Sequence, residues 1–93
     1  MRKRVRIDAN QPEIITALKA IGASVIPITG KGCGDLLVGY RGRNTLLEIK
    51  DGSKPPSARK LTPDEQQFKD SWAGQHAVVE TVQQAIDAVM RNS

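Results

Sequence analysis

Two apolar runs separated by four turn residues constrain this chain more than any other feature. Leu36–Tyr40 (Leu-Leu-Val-Gly-Tyr) and residues 45–49 (Thr-Leu-Leu-Glu-Ile) flank Arg41-Gly42-Arg43-Asn44. Each run is too short for a buried helix and too apolar for a strand with one wet face. Together they read as a hairpin of strands buried on both faces. Costly side chains gather at the open end of that hairpin. Asp35 enters the first strand, and Glu48 and Lys50 close the second. Alternation puts Glu48 and Lys50 on one face, about 6–7 Å apart along the strand, with Ile49 on the other. Pairing across the turn brings Asp35 beside them. The glycine loop Gly30-Lys31-Gly32-Cys33-Gly34 leads into Asp35 and lets a phosphate backbone approach.

Two acids and a lysine at one end of an apolar sheet suit metal-assisted phosphodiester hydrolysis. Mg²⁺ or Mn²⁺ takes oxygen ligands, so one or two carboxylates plus a substrate phosphate can hold it. A lysine beside the ion can orient or activate water or offset charge developing on the phosphate. The competing reading, a surface hairpin with a solvated Glu/Lys pair, conflicts with the apolar flanks.

The pattern Gly-x-Gly-Asp followed by Glu-x-Lys resembles the PD-(D/E)XK nuclease superfamily, and within it the small VRR-Nuc and Holliday-junction-resolvase-like branch of phages and prophages. The resemblance covers most of the chain. It implies an α/β fold with an αβββαβ restriction-endonuclease-like core, a four-stranded mixed sheet flanked by helices, and here an extra C-terminal helix. It also implies that Asp35 and Glu48 hold the metal with the backbone carbonyl of Ile49, while Lys50 handles water. Glu13 looks like the branch's acidic helix residue. Leu61-Thr62-Pro63-Asp64-Glu65-Gln66 looks like its segment ending in a functional glutamine, Gln66. The family usually has proline before the aspartate, and this chain has Gly34.

Taken in order, the chain opens on a basic segment, residues 1–8, whose Arg2, Lys3 and Arg4 read either as a solvated tail or as phosphate contacts. Asn10-Gln11-Pro12-Glu13 predicts a helix start with an Asn N-cap. Ile14, Ile15, Leu18 and Ile21 form its apolar stripe, and Gly22 ends it. Glu13 at N3 reads from the residues as a cap, and the resemblance makes a metal-ligand role equally open to it. Residues 23–29 predict a first strand, with Pro27 at an edge or an end. Lys31, and Lys54, Arg59 and Lys60 in the polar loop 51–60, read as phosphate contacts. The turn arginines lie at the wrong end of the sheet. Thr62-Pro63-Asp64-Glu65 is a capping box opening a helix with Phe68 and Trp72 as its buried stripe. Residues 76–80 predict a last strand with His76 at its surface end. Thr81 and Gln84 open a terminal helix with Val82, Ile86 and Val89/Met90 inward.

Ninety-three residues make a single domain with a modest core, which a homodimer would help stabilise. Fourteen basic against ten acidic side chains give a net charge of +4 and favour a polyanionic partner. One cysteine rules out an internal disulfide, and one histidine leaves no histidine pair for zinc. Neither a membrane-spanning run nor an apolar signal sequence is present, which predicts a cytoplasmic protein. The sequence therefore reads as a Mg²⁺- or Mn²⁺-dependent endonuclease acting on DNA, at branched, four-way or other structured sites. The alternatives are a non-catalytic nucleic-acid-binding protein on the same fold and a structural subunit of a larger complex.

Overall fold

Arg41 and Gly42 adopt φ values of 53° and 80°, and these two residues set the register of the sheet. Two successive positive φ angles give a turn whose twist matches that of the strands it joins. Arg41, which lacks glycine's freedom, lies over the Tyr40 ring at 5.2 Å. The turn is therefore two residues long rather than four, Tyr40 pairs with Arg43, and the second hairpin strand starts at Arg43.

The computed structural model describes residues 9–30 and 32–91. Its elements are α1 (Gln11–Ala20), β1 (Ser24–Pro27), β2 (Leu36–Tyr40), β3 (Arg43–Ile49), α2 (Pro56–Arg59), α3 (Pro63–Ser71), β4 (Gln75–Val79) and α4 (Val82–Arg91). The result is an α/β fold with one four-stranded mixed sheet in the order β1-β2-β3-β4. β1, β2 and β3 run antiparallel, and β4 joins β3 in parallel after the crossover through α2 and α3. Pro27 ends the edge strand β1, where a missing amide donor costs no ladder bond.

The core lies on one face of the sheet. Leu36, Val38, Leu47, Ile49 and Val79 point toward Ile14 and Leu18 of α1 and Ala85, Ala88 and Val89 of α4. Ile15, Ile21, Val82 and Ile86 pack around this centre. α1 ends as its Gly22 suggests, at φ 95°, with Gly22 N donating to Lys19 O at 3.0 Å and Ala23 N to Leu18 O at 3.1 Å. α3 lies against the other face through Phe68, whose ring centroid is 5.8 Å from that of His76.

Several local expectations fail for tertiary reasons. Asn10 makes no side-chain cap on α1. Its Nδ2 instead donates to Lys50 O at 3.0 Å and Glu80 O at 2.7 Å, tying α1 to the ends of β3 and β4. Trp72 is 45% exposed, stacked on the half-buried Phe68 at 5.0 Å. No α3 residue is buried, because a nine-residue helix meets the sheet along one short line. Met90 is 44% exposed, as the small residues Ala85 and Ala88 let α4 settle on the sheet beside Val89. His76 is half-buried under Phe68 rather than at the surface. The loop 51–60 contains the one-turn helix α2 behind Pro55-Pro56.

Candidate active site

Asp35 immediately precedes β2, one step beyond the Leu36–Leu47 pair, which places it across from Glu48. Its amide donates to Leu47 O at 2.7 Å, extending the ladder past the strand proper. Its Oδ2 accepts from Ile49 N at 2.6 Å, so the side chain is held across the end of β3. Gly34 makes this approach possible. Its φ is 103°, far from the roughly −65° to which proline is locked. A Cβ there would also sit 3.3 Å from Leu47 O. The glycine where the resembled family has proline thus follows from the backbone path of this chain.

Glu48 is 5% exposed, one same-face position along β3 from Lys50. Lys50 N donates to Val79 O at 2.9 Å, so the strand-end lysine is anchored to β4. Lys50 Nζ lies 3.8 Å from Glu48 Oε2 and 2.8 Å from Glu65 Oε1. The structure thus brings Asp35, Glu48 and Lys50 together, and adds Glu65 from the first turn of α3.

The charges in this cluster are strongly coupled. Burial, reinforced by the negative charges of Asp35 and Glu65, pushes the Glu48 carboxyl up to about 9. Burial alone would lower Lys50, but its hydrogen bond to Glu65 and the surrounding carboxylates raise it above its ordinary value. Burial would raise Glu65, yet the hydrogen bonds from Lys50 and the Thr62 amide hold it below the usual range. Burial and the neighbouring negative charges thus disfavour an ionised Glu48 beside the Glu65–Lys50 ion pair.

Among the described residues, the other sequence candidates make no hydrogen bond or ion pair with this cluster. Gln66 is exposed, and its Nε2 donates to Asp70 Oδ1 at 2.9 Å. Glu13 is exposed on the first turn of α1 and is not among the acids acting on Glu48. Arg59 Nη1 pairs with Glu80 Oε1 at 3.3 Å, which fastens α2 to the end of β4. Lys54 is half-buried and Lys60 exposed. Arg2, Lys3, Arg4 and Lys31 lie outside the described residues.

Glu65 carries the clearest signal that sequence reasoning passed over. It stands three residues before Phe68, hence on the helix face that meets the sheet, whereas Gln66, two before Phe68, falls on the opposite side. Its visible job as the N3 partner of Thr62 concealed the second one.

No known protein family, curated protein or solved structure matches this chain. Among the described residues no group of three or more His, Cys, Asp and Glu side chains is arranged to hold a metal ion. Asp35 and Glu48 nonetheless carry carboxylate oxygens, the donor type that a hard, water-rich cation accepts. The raised Glu48 fits such an ion: a carboxyl kept protonated by burial and like charge ionises readily once a cation offsets both.

Proposed function

We propose that this chain is a Mg²⁺- or Mn²⁺-dependent endonuclease that hydrolyses DNA phosphodiester bonds, with branched or otherwise structured DNA as its substrate. The observation that carries this reading is the convergence of Asp35, Glu48 and Lys50 at one end of β2 and β3. The element order also supports it, being the one that the resemblance to the PD-(D/E)XK superfamily implies.

In this reading Asp35, Glu48 and the Ile49 carbonyl hold the cation. When bound, the ion supplies Lewis-acid polarisation of the phosphoryl group. Asp35 is oriented by Ile49 N, which donates to its Oδ2 at 2.6 Å. Glu48 would serve as a ligand in its carboxylate form, its proton released to solvent. Lys50 Nζ donates to the attacking water or to a phosphate oxygen, offsetting charge as it develops. In this reading exposed Lys60 and half-buried Lys54, on the loop leaving Lys50, contact neighbouring phosphates, while Arg59 is engaged with Glu80. The active species is a two-fold homodimer, for which exposed Ile26 and Trp72 supply apolar surface.

Incubating the purified protein with duplex, flap and four-way DNA, with and without Mg²⁺, tests the proposal. Cleavage that requires the cation supports it, and intact DNA under every condition refutes it. Light scattering at assay concentration reports the dimer separately. One observation favours a second reading, a nucleic-acid-binding protein without catalysis: Lys50 is already engaged by Glu65. Salt-sensitive DNA binding with no Mg²⁺-dependent cleavage would select it.

A further inference from the structure

We infer that Glu65 positions Lys50 against Glu48, making the first turn of α3 a working wall of the site. The kinetic consequences rest on the endonuclease reading; the positioning itself does not.

A single oxygen does two jobs. Glu65 Oε1 accepts from Thr62 N at 2.8 Å and from Lys50 Nζ at 2.8 Å. The first contact belongs to the capping box, completed by Glu65 N donating to Thr62 Oγ1 at 3.2 Å. Glu65 is therefore tied to its own helix backbone before it meets the lysine. A lysine has a long, freely rotating stem, and a carboxylate whose own rotamer is already set is a suitable fixed point for it. The pair is also shielded: the side chains of Lys50 and Glu65 are 12% and 17% exposed. Surface ion pairs commonly contribute little, and this pair is not one of them.

An independent contact places the turn that carries Glu65. Gly32, at φ 72°, runs so close to α3 that a Cβ on it would lie 2.9 Å from Asp64 Cβ and 3.1 Å from Asp64 C. The glycine loop leading into Asp35 thus abuts the residue next to Glu65. None of α3's own residues is buried. The helix start is located by these close contacts at its first turn as much as by the Phe68 ring farther along. Asp35's loop, Lys50 and Glu65 accordingly form one closed arrangement around Glu48.

Four variants separate positioning from mere helix support. Glu65→Ala removes both the clamp and half of the capping box. Glu65→Gln keeps a neutral acceptor. Thr62→Ala unties the cap but leaves the Thr62 amide and the Glu65 carboxylate. Gly32→Ala crowds the first turn of α3 at Asp64 and disfavours the positive φ of the loop that abuts it. The first readout needs no activity: the rate at which an amine-selective acylating reagent labels Lys50, relative to exposed Lys60, followed by peptide mass spectrometry. Slow labelling of Lys50 is expected in the wild type and in Thr62→Ala, and faster labelling in Glu65→Ala and Gly32→Ala. In cleavage assays Glu65→Ala should lower kcat about 10- to 100-fold, as loss of an orienting partner typically does. KM should stay within about 3-fold, because the interaction acts on the reacting group. Glu65→Gln should recover part of the loss. Equal effects of Thr62→Ala and Glu65→Ala in either assay would reduce Glu65 to a cap and overturn the inference. Unchanged Lys50 labelling in Glu65→Ala would overturn it as well. A wild-type protein that fails to cut DNA sinks the endonuclease reading, while the labelling result still decides the role of Glu65.

Discussion

The two faces of the sheet are built for opposite purposes. Against α1 and α4 the sheet is dry and apolar: Ile14, Leu18, Leu36, Leu47 and Ala85 are fully buried. Against α3 the helix buries nothing fully, and the sheet end carries Glu48 at 5% exposure among other charges. The first face supplies the hydrophobic stabilisation a small domain needs. The second uses part of it to keep a carboxyl in a place where it does not readily ionise. The apolar core and the charged cluster are thus separated by the thickness of one sheet, and substitutions on the two faces should report on different properties.

The largest contrast concerns activity. Asp35→Asn, Glu48→Gln and Lys50→Ala should each lower DNA cleavage by about 10²–10³-fold or more while the protein still unfolds cooperatively. Asn and Gln preserve shape, so the Ile49 amide keeps an acceptor in Asp35→Asn. Combining two of these changes should cost little beyond one, since the groups act as a unit. Near-wild-type cleavage by Glu48→Gln would break the assignment of this face.

Stability should show the reverse. Leu47→Ala, on the apolar face, should cost about 2–5 kcal/mol in chemical denaturation. Trp72→Ala, at the exposed end of α3, should stay within about 1 kcal/mol. Comparable losses would mean that α3 contributes to the core more than its burial indicates.

A subtler test uses pH. Glu48 has a folded pKa near 9 against an ordinary 4.5, so between those values the folded chain keeps a proton that the unfolded chain has lost. Folding then takes up a proton, and stability of the metal-free protein should fall as pH rises across this window. The Glu48 contribution is fully favourable below about 4.5 and is lost progressively toward 9. Thermal melts of Glu48→Gln should slope less with pH, and Mg²⁺ should stabilise the wild type most at the alkaline end. A melting temperature that rises from pH 6 to 9 without metal would contradict the buried acid.

The smallest effect is expected at Glu13. Because it is exposed on the first turn of α1, Glu13→Gln should change stability by a few tenths of a kcal/mol, as helix-end charges do. Cleavage across a metal titration should be unchanged. A steep loss rescued by more metal would bring α1 into the site and blur the division between the faces.

Features that depend on near neighbours and strict periods are legible in the chain alone. Alternation put Glu48 and Lys50 on one face, and the apolar runs specified β2 and β3. Pro27 marked the end of an edge strand, Gly22 stopped α1, and Thr62 with Glu65 started α3. Tertiary structure decided every case in which one side chain had two partners to choose from. Asn10, a good cap by local rules, instead bridges Lys50 and Glu80, which are 40 and 70 residues away. Trp72 had the right spacing to be buried, but the sheet offers α3 too little surface to cover it. Glu65 and Gln66 are adjacent in sequence and about 100° apart around the helix. The docking of α3, through its first turn against Gly32 and through Phe68 on His76, decides which of them faces Lys50. Local hydrogen bonds and periodicities are encoded within a few residues, whereas the orientation of a helix on a sheet depends on the shape of both surfaces at once.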